Sequence, residues 1–462
     1  MISEIFLFLP IISLFFLLFL TRDLFKTLFF SYLITLIVSI SIGIYFYKIL
    51  LAHIDSFLTG FKIFLLVFSV LFLFKIIEKE NTKFFKSFKE KNFLNFVAIG
   101  IFLTILIEGL VGFGTPGIIA VKSLYTLGFN PLLSASISLI TDTYSTFGAF
   151  STPIIIGAKD ANSLEFVKIV GIIFSIFIFF IFLVALTFYL KFEKEMHSFL
   201  TFKKETIASI IVFFIISIIV AHTQFFTLTI ILASIGALFF IFFKNISRFR
   251  FFLKIFSPFF IAIIIFVILR SSNIPIIIEI LNFFNISIII LSIALFLALN
   301  NRKRIKIYSL EILKKSIRLF FIIFFLSFVS SYLTLSSENS IGVKGVMDNL
   351  KNYFIGFDKY FLIISPIIGV FGAFIFGSAT LSNLTFIKFQ QEIATALNLN
   401  VDKVLALQSI GAGIGNMISL YNISAIIAVI DELKGKEVEI LKINSIIAII
   451  LSFLACFLVL IL

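Results

Sequence analysis

Three ionisable residues stand inside otherwise apolar sequence: Glu108, Lys122 and Asp142. A charge at depth in lipid costs about 3 kcal/mol or more unless it is paired or put to use. Glu108 lies four residues before Gly112, and Asp142 lies at a break in the next apolar run. Lys122 lies between them, midway along a helical limb. The plain reading pairs Lys122 with one of the two carboxylates. The functional reading makes Glu108 and Asp142 groups that take up and release a proton. Hydroxyl, amide and glycine positions gather at similar breaks: Gly114, Thr115 and Thr143 in the first half, Ser378, Thr380, Ser382, Asn383 and Asn416 in the second. In a membrane helix such hydroxyls often bond only their own backbone. At the N-terminus of a half-helix, with its free N–H groups, they would hold an anionic carboxylate. Lys122 could add a fixed positive charge to that pocket. An anion pocket beside a protonatable acid suits symport of a proton with a carboxylate.

Other chemistry finds little support. There is no G-x-x-x-x-G-K-[ST] loop, so ATP drive is not expected, and no metal cluster or nucleophile–base pair stands out. Gly112-Phe-Gly114-Thr-Pro-Gly117 spells the dinucleotide pattern, but that fingerprint needs a preceding strand and here the flanks are apolar and helical. Gly411 and Gly415 have the small-xxx-small spacing of helix packing, and could equally turn backbone groups toward a ligand. His53, His197 and His222 fall near predicted span ends and read as interfacial. Arg270 and Lys388 read as snorkelling residues.

The elements that must position these groups follow from composition. Hydrophobic residues make up 61% of the 462, charged residues 13%, and mean hydropathy is +1.21. Soluble chains carry about twice that charge, so lipid has to be the solvent. The runs lack period-2 alternation, which makes the class all-helical. The net charge of +13 sits in short loops, as cytoplasmic loops require, so no nucleic-acid partner is implied. Cys456 is alone and has no disulfide partner. Ile2–Leu20 lacks a basic n-region and reads as a retained span.

Basic connections fix orientation. Lys75–Lys91 holds six lysines against three glutamates, and Arg302–Arg318 seven basic residues against one acid. With Lys191–Lys204 and Lys244–Lys254 they are placed in the cytoplasm. Twelve spans are then expected: 2–20, 28–50, 57–76, 132–156, 164–190, 206–221, 225–243, 252–270, 276–299, 317–335, 404–430 and 440–462. Two stretches, 93–128 and 360–397, are broken at their centres by Gly-Phe-Gly-Thr-Pro and Gly-Ser-Ala-Thr-Leu-Ser-Asn, and are expected as re-entrant hairpins. The two units start from opposite sides, which predicts an inverted repeat with the site at its interface. One integral membrane domain is expected over 1–462. Its units 93–190 and 360–462 would do the transport, with 1–92 and 205–335 as scaffold.

Glu108-Gly-Leu-Val-Gly-Phe-Gly-Thr-Pro116 resembles the E-G-x-x-G-F-G-T-P motif of the bacterial L-lactate permease family. Gly128-Phe129, Pro131-Leu132, Phe147-Gly148-Ala149 and Thr152-Pro153 follow in family order. Gly377-Ser378-x-Thr380-x-Ser382-Asn383 with Phe386 and Gln390 is similar to a second family element. Gly415-Asn-Met-Ile418 with Asn422-Ile423 and Gly435-Lys-Glu437 resembles the G-N-M variant. The likeness covers about 94–157 and 361–437. It implies an elevator-type transporter that imports lactate or glycolate with protons across a bacterial inner membrane, and no enzyme. No cofactor is implied beyond H⁺ as coupling ion, with Na⁺ left open. The partners implied are a small organic anion and membrane lipid, with a homo-oligomer open. Ala379 and Lys122 depart from the family pattern, so the substrate within the class is open. A Na⁺-coupled or exchange carrier of another organic anion is the alternative.

Overall fold

The computed structural model describes residues 2–462 apart from 22, 78–82, 86, 113–114, 159–163, 244, 273 and 300–301. Every regular element among them is helical. In chain order the helices are α1 (Ile2–Thr21), α2 (Leu24–Ser41), α3 (Phe46–Ile76), α4 (Phe93–Leu110), α5 (Thr115–Thr126), α6 (Pro131–Thr141), α7 (Gly148–Ala158), α8 (Leu164–Glu193), α9 (Met196–Ala221) and α10 (Thr229–Ile241). They continue with α11 (Ile246–Ser271), α12 (Pro275–Phe284), α13 (Ser287–Leu299), α14 (Arg302–Leu335), α15 (Val346–Phe354), α16 (Phe361–Phe376), α17 (Ala379–Ala396), α18 (Val401–Asn416), α19 (Leu420–Ile427) and α20 (Glu437–Ile461).

Among the described residues ten helices are long and apolar enough to cross a membrane, or eleven if bent α12–α13 counts as one. Twelve spans were expected, and the polytopic α class holds while their bounds shift. The expected turn at 51–56 is instead at Ile42–Tyr45, where Gly43 takes a left-handed φ of 73°. His53-Ile-Asp55 therefore lies inside the continuous α3. The reason is local satisfaction: His53 Nδ1 meets Ile49 O at 2.7 Å and Nε2 meets Tyr32 Oη at 2.9 Å. The single span expected over 276–299 bends by 80° at Asn285, whose φ is +51°. The apolar stretches expected as re-entrant limbs include α4 and Gly356–Phe376, each long enough to cross on its own.

Burial sorts the helices by role. Of the most apolar window in α4, 94% is buried, and in Val401–Ile427 72%, against 33% in α2 and α9. The outer helices turn their phenylalanine and isoleucine side chains to lipid, while α4 and α18 run through the centre. The largest apolar cluster gathers around α4, α6, α8, α10, α11 and α18, and two smaller ones join α1–α3 to α14, α16 and α17. Gly411 and Gly415 do pack: a Cβ on either would meet the backbone of Pro366 or Val370 in α16.

The two broken stretches share one local design. Each is a helix, a break, a helix, a tight turn and a second broken helix. In the first turn Gly128 N–H donates to Tyr125 O (2.9 Å) and Phe129 N–H to Leu124 O (3.2 Å). In the second, Asn398 N–H donates to Thr395 O (3.2 Å) and Leu399 N–H to Ala394 O (2.9 Å). Both are Schellman caps, with Gly128 (φ 88°) and Asn398 (φ 53°) in the left-handed position that glycine and asparagine tolerate best. An asparagine then caps the next helix in each case. Asn130 Oδ1 accepts from Leu132 and Leu133 N–H, and Asn400 Oδ1 accepts from Lys403 N–H.

Candidate functional site

The breaks of the two units meet. After α6 the chain tightens into a 3₁₀ turn over Asp142–Phe147, then enters α7 through Ala149, Phe150 and Ser151, all left-handed (φ 44°, 54° and 60°). Three such residues in a row cost about 1–2 kcal/mol each, so packing on all sides has to hold them; Phe150 and Ser151 are fully buried. On the other side α18 ends at Asn416, and Met417–Ser419 link it to α19. Thr146 Oγ1 donates to Ser409 O at 2.9 Å, and Asn416 Nδ2 to Ser145 Oγ at 2.6 Å. Gly413 permits the crossing, since a Cβ there would run into Thr146 Oγ1 and Thr143 O.

Glu108 and Asp142 are brought side by side at this crossing, their carboxyl groups within hydrogen-bonding reach of each other. They are 2% and 5% exposed, and among the described residues they are the only charged residues buried as a whole; the covered side chain of Glu193 is paired with Lys91. No donor among the described residues reaches Glu108 Oε2. Gly148 makes room for the pair, because a Cβ at that position would overlap Glu108 Oε1. Asp142 Oδ2 also accepts from Asn422 Nδ2 at 3.3 Å, and the same nitrogen donates to Asn416 O at 3.2 Å. A cavity of about 80 Å³ opens beside Asp142, between Gly117 and Ile118 of α5, Ser138 of α6, and Tyr421, Asn422, Ala425 and Ile426 of α19. That is room for several waters or a small organic molecule.

Lys122 pairs with neither carboxylate. It is exposed on α5, one turn beyond Ile118 on the cavity side. Gly114 and the Thr115 side chain lie outside the described residues. Thr143 is buried and donates back to Ile140 O (2.7 Å) at the end of α6, the local bonding such residues often adopt.

The remaining second-unit residues form a separate polar row. Ser378 is the N-cap of α17, accepting from Leu381 N–H at 3.4 Å, and Thr380 is buried just after it. Ser382 Oγ donates to Gly369 O at 2.9 Å across to α16. Asn383 Nδ2 donates to Pro153 O of α7 and to Ser409 Oγ, both at 3.0 Å, so one side chain ties the two units together. Sequence reasoning missed what orients that amide. Gln408 Nε2 donates to Asn383 Oδ1 (3.4 Å) and Ser382 Oγ (3.2 Å). Gln390 Nε2 donates in turn to Gln408 Oε1 (2.5 Å) and Ser365 O (3.1 Å). Gln390, Gln408 and Ser409 are wholly buried. The signal was present in their being polar residues inside apolar helices, with Gln390 and Gln408 at facing positions on consecutive helices.

A family model described as L-lactate permease matches residues 3–257 and 163–462, which together take in nearly the whole chain. A relative from Haemophilus influenzae is 40% identical over 93 residues, 20% of this chain and 17% of its own. Proteins named L-lactate permease from Salmonella typhi and Salmonella typhimurium are 29% and 28% identical over 151 residues. Those matches cover 30% of this chain and 27% of each relative. The matched stretches thus span about a quarter or less of the relatives' own length.

Proposed function

Because this multi-pass membrane protein belongs to the L-lactate permease family, we propose that it is a secondary active transporter taking up a short 2-hydroxy monocarboxylate with a proton. L-lactate, D-lactate and glycolate are the candidate substrates, and the bacterial cytoplasmic membrane is the location. The observation that carries this reading is the Glu108–Asp142 pair, two acidic residues buried side by side. Two carboxyl groups hydrogen-bond to each other only with a proton between them. The pair opens through Asp142 onto a cavity that fits a small organic molecule. No buried lysine or arginine among the described residues balances an incoming carboxylate. A proton bound with the substrate supplies that balance, which separates this carrier from an enzyme or a passive pore.

The units 93–190 and 360–462 are read as an inverted repeat whose re-entrant hairpins converge on the crossing, moving against α1–α3 and α14 in elevator fashion. The matching Schellman turns support that reading. Substrate is held between the cavity and the Asn383 row, with Ser378, Thr380, Ser382, Asn383 and Asn416 as its polar lining and Lys122 drawing anions toward the mouth. A Na⁺-coupled carrier is the second reading. It is favoured by Asn416 Oδ1, Ser419 Oγ and Asn444 Oδ1, buried oxygens without a partner among the described residues, near the C-terminal, electronegative end of α18.

The test is uptake of radiolabelled L-lactate into proteoliposomes under an inward proton gradient. Accumulation above equilibrium, abolished by a protonophore and competed by glycolate, is expected. Accumulation that survives the protonophore but requires Na⁺ would select the second reading.

A further inference from the structure

The amide of Asn422 joins three pieces of the molecule with one nitrogen. It donates to Asp142 Oδ2 in the first unit and to Asn416 O, the last residue of α18, while itself belonging to α19. Asn422 is 6% exposed, so water does not readily replace either bond. The helix it belongs to is only eight residues long and forms a whole wall of the cavity through Tyr421, Asn422, Ala425 and Ile426. Nothing else polar in α19 is seen to hold that wall to Asp142: Ser424 lies outside the cavity lining and Tyr421 is largely exposed.

We infer that Asn422 is a positioning residue that converts the protonation state of Asp142 into the position of α19, and so sets whether the cavity wall is held or released. This rests on the proton-symport reading. An ionised Asp142 carboxylate accepts from Nδ2, and a charge-assisted bond of this kind is about twice as strong as a neutral one. Protonated on Oδ2, the same atom becomes a neutral hydroxyl, a weaker acceptor whose new O–H crowds the amide N–H. The bond to Asn416 O then holds α19 alone, and the wall is free to shift about the Met417–Ser419 link. The titratable groups around Asp142 are few. Glu108 lies beside it from α4, and Tyr144 on its own turn is engaged with Phe174 O at 2.8 Å. Tyr421 faces it across the cavity from α19, and α5 carries the exposed Lys122 and Tyr125, the latter bonded to Glu432. Asn444 of α20, which donates to Met417 O at 2.9 Å, is neutral. Asp142 is therefore the group whose charge Asn422 reads directly.

The experiment measures L-lactate uptake into proteoliposomes across external pH 5.5 to 8 for the wild type, Asn422→Ala, Asn422→Ser, Asp142→Asn and Asp142→Asn/Asn422→Ala. The wild-type rate should fall roughly tenfold per pH unit above saturation. Asn422→Ala should flatten that dependence to about twofold, and Asn422→Ser, which keeps a donor, should restore part of the slope. The double variant should be no flatter than Asp142→Asn alone. A merely structural role would lower the rate by one factor at every pH and leave the slope intact, and that outcome overturns the inference. Should Asn422→Ala not fold, the Ser variant decides: a wild-type slope with a reduced rate also overturns it. A wild-type rate indifferent to pH would overturn the symport reading instead.

Discussion

Replacing Gly148 by alanine tests whether the carboxyl pair depends on the room the backbone leaves for it. Gly148 has φ −64° and ψ 154°, a conformation any residue adopts. With space available, Gly148→Ala would stabilise the fold by about 0.4–1 kcal/mol through the unfolded chain alone. There is no space: the new Cβ would overlap Glu108 Oε1 and lie 3.3 Å from its Cδ and 3.5 Å from its main-chain O. Overpacking of this kind costs about 1–3 kcal/mol, so the clash exceeds the entropic gain and the sign of the stability change becomes negative. If the same strain is felt in the coupled step, the rate drops by roughly 5- to 160-fold, at about 1.36 kcal/mol per tenfold. Stability can be followed by thiol labelling of the single, buried Cys456 on heating, and function by proton-driven L-lactate accumulation. Gly148→Ala/Glu108→Asp, whose shorter side chain withdraws the carboxyl, should recover part of both. Gly356→Ala, with nothing within 4 Å of its Cβ, is the control. A Gly148→Ala protein that melts higher and transports normally would refute the reasoning.

Three further outcomes are expected. Glu108→Gln keeps the shape of the pair but removes its proton; accumulation should vanish while lactate exchange persists, measured as counterflow into preloaded vesicles. Asn383→Ala leaves Gln408 and Pro153 O without their partner at a cost of about 1–3 kcal/mol, so KM should rise by up to roughly 5- to 160-fold. Gln408→Leu should reproduce a smaller part of that rise. Lys122→Ala touches an exposed side chain and should leave the melting point unchanged while raising KM a few-fold at low ionic strength; added salt should erase the difference.

Much of this arrangement was legible in the sequence because lipid leaves few options. Apolar runs of span length have to be helices, and polar breaks at depth have to face something other than lipid. Glu108 and Asp142 stood out for that reason. Which group each carboxylate meets was not legible: Lys122 is nearer to both in sequence, yet helical phase turns it outward and closes the two acids on each other. The continuity of α3 through His53 and Asp55 was hidden because the cue was a polar pair. The bonds of His53 to Ile49 O and Tyr32 depend on α2 folding back. The 80° bend at Asn285 carries neither glycine nor proline at the break itself. Gln408 was overlooked, and Gln390 was noted only within the family motif, because a single glutamine in an apolar helix is as compatible with a lipid-facing edge as with a core. Only the packing of α16, α17 and α18 makes them neighbours.

The absence of any buried lysine or arginine beside the carboxyl pair, among the described residues, bears on energy supply. A monocarboxylate bound together with one proton is a neutral cargo. Moving one net charge across 100 mV is worth about 2.3 kcal/mol, and a neutral cargo forgoes it entirely. The concentration ratio such a carrier can sustain is then set by the pH difference alone, about tenfold per unit. A cell holding a large voltage but equal pH on both sides would see its lactate only equilibrate.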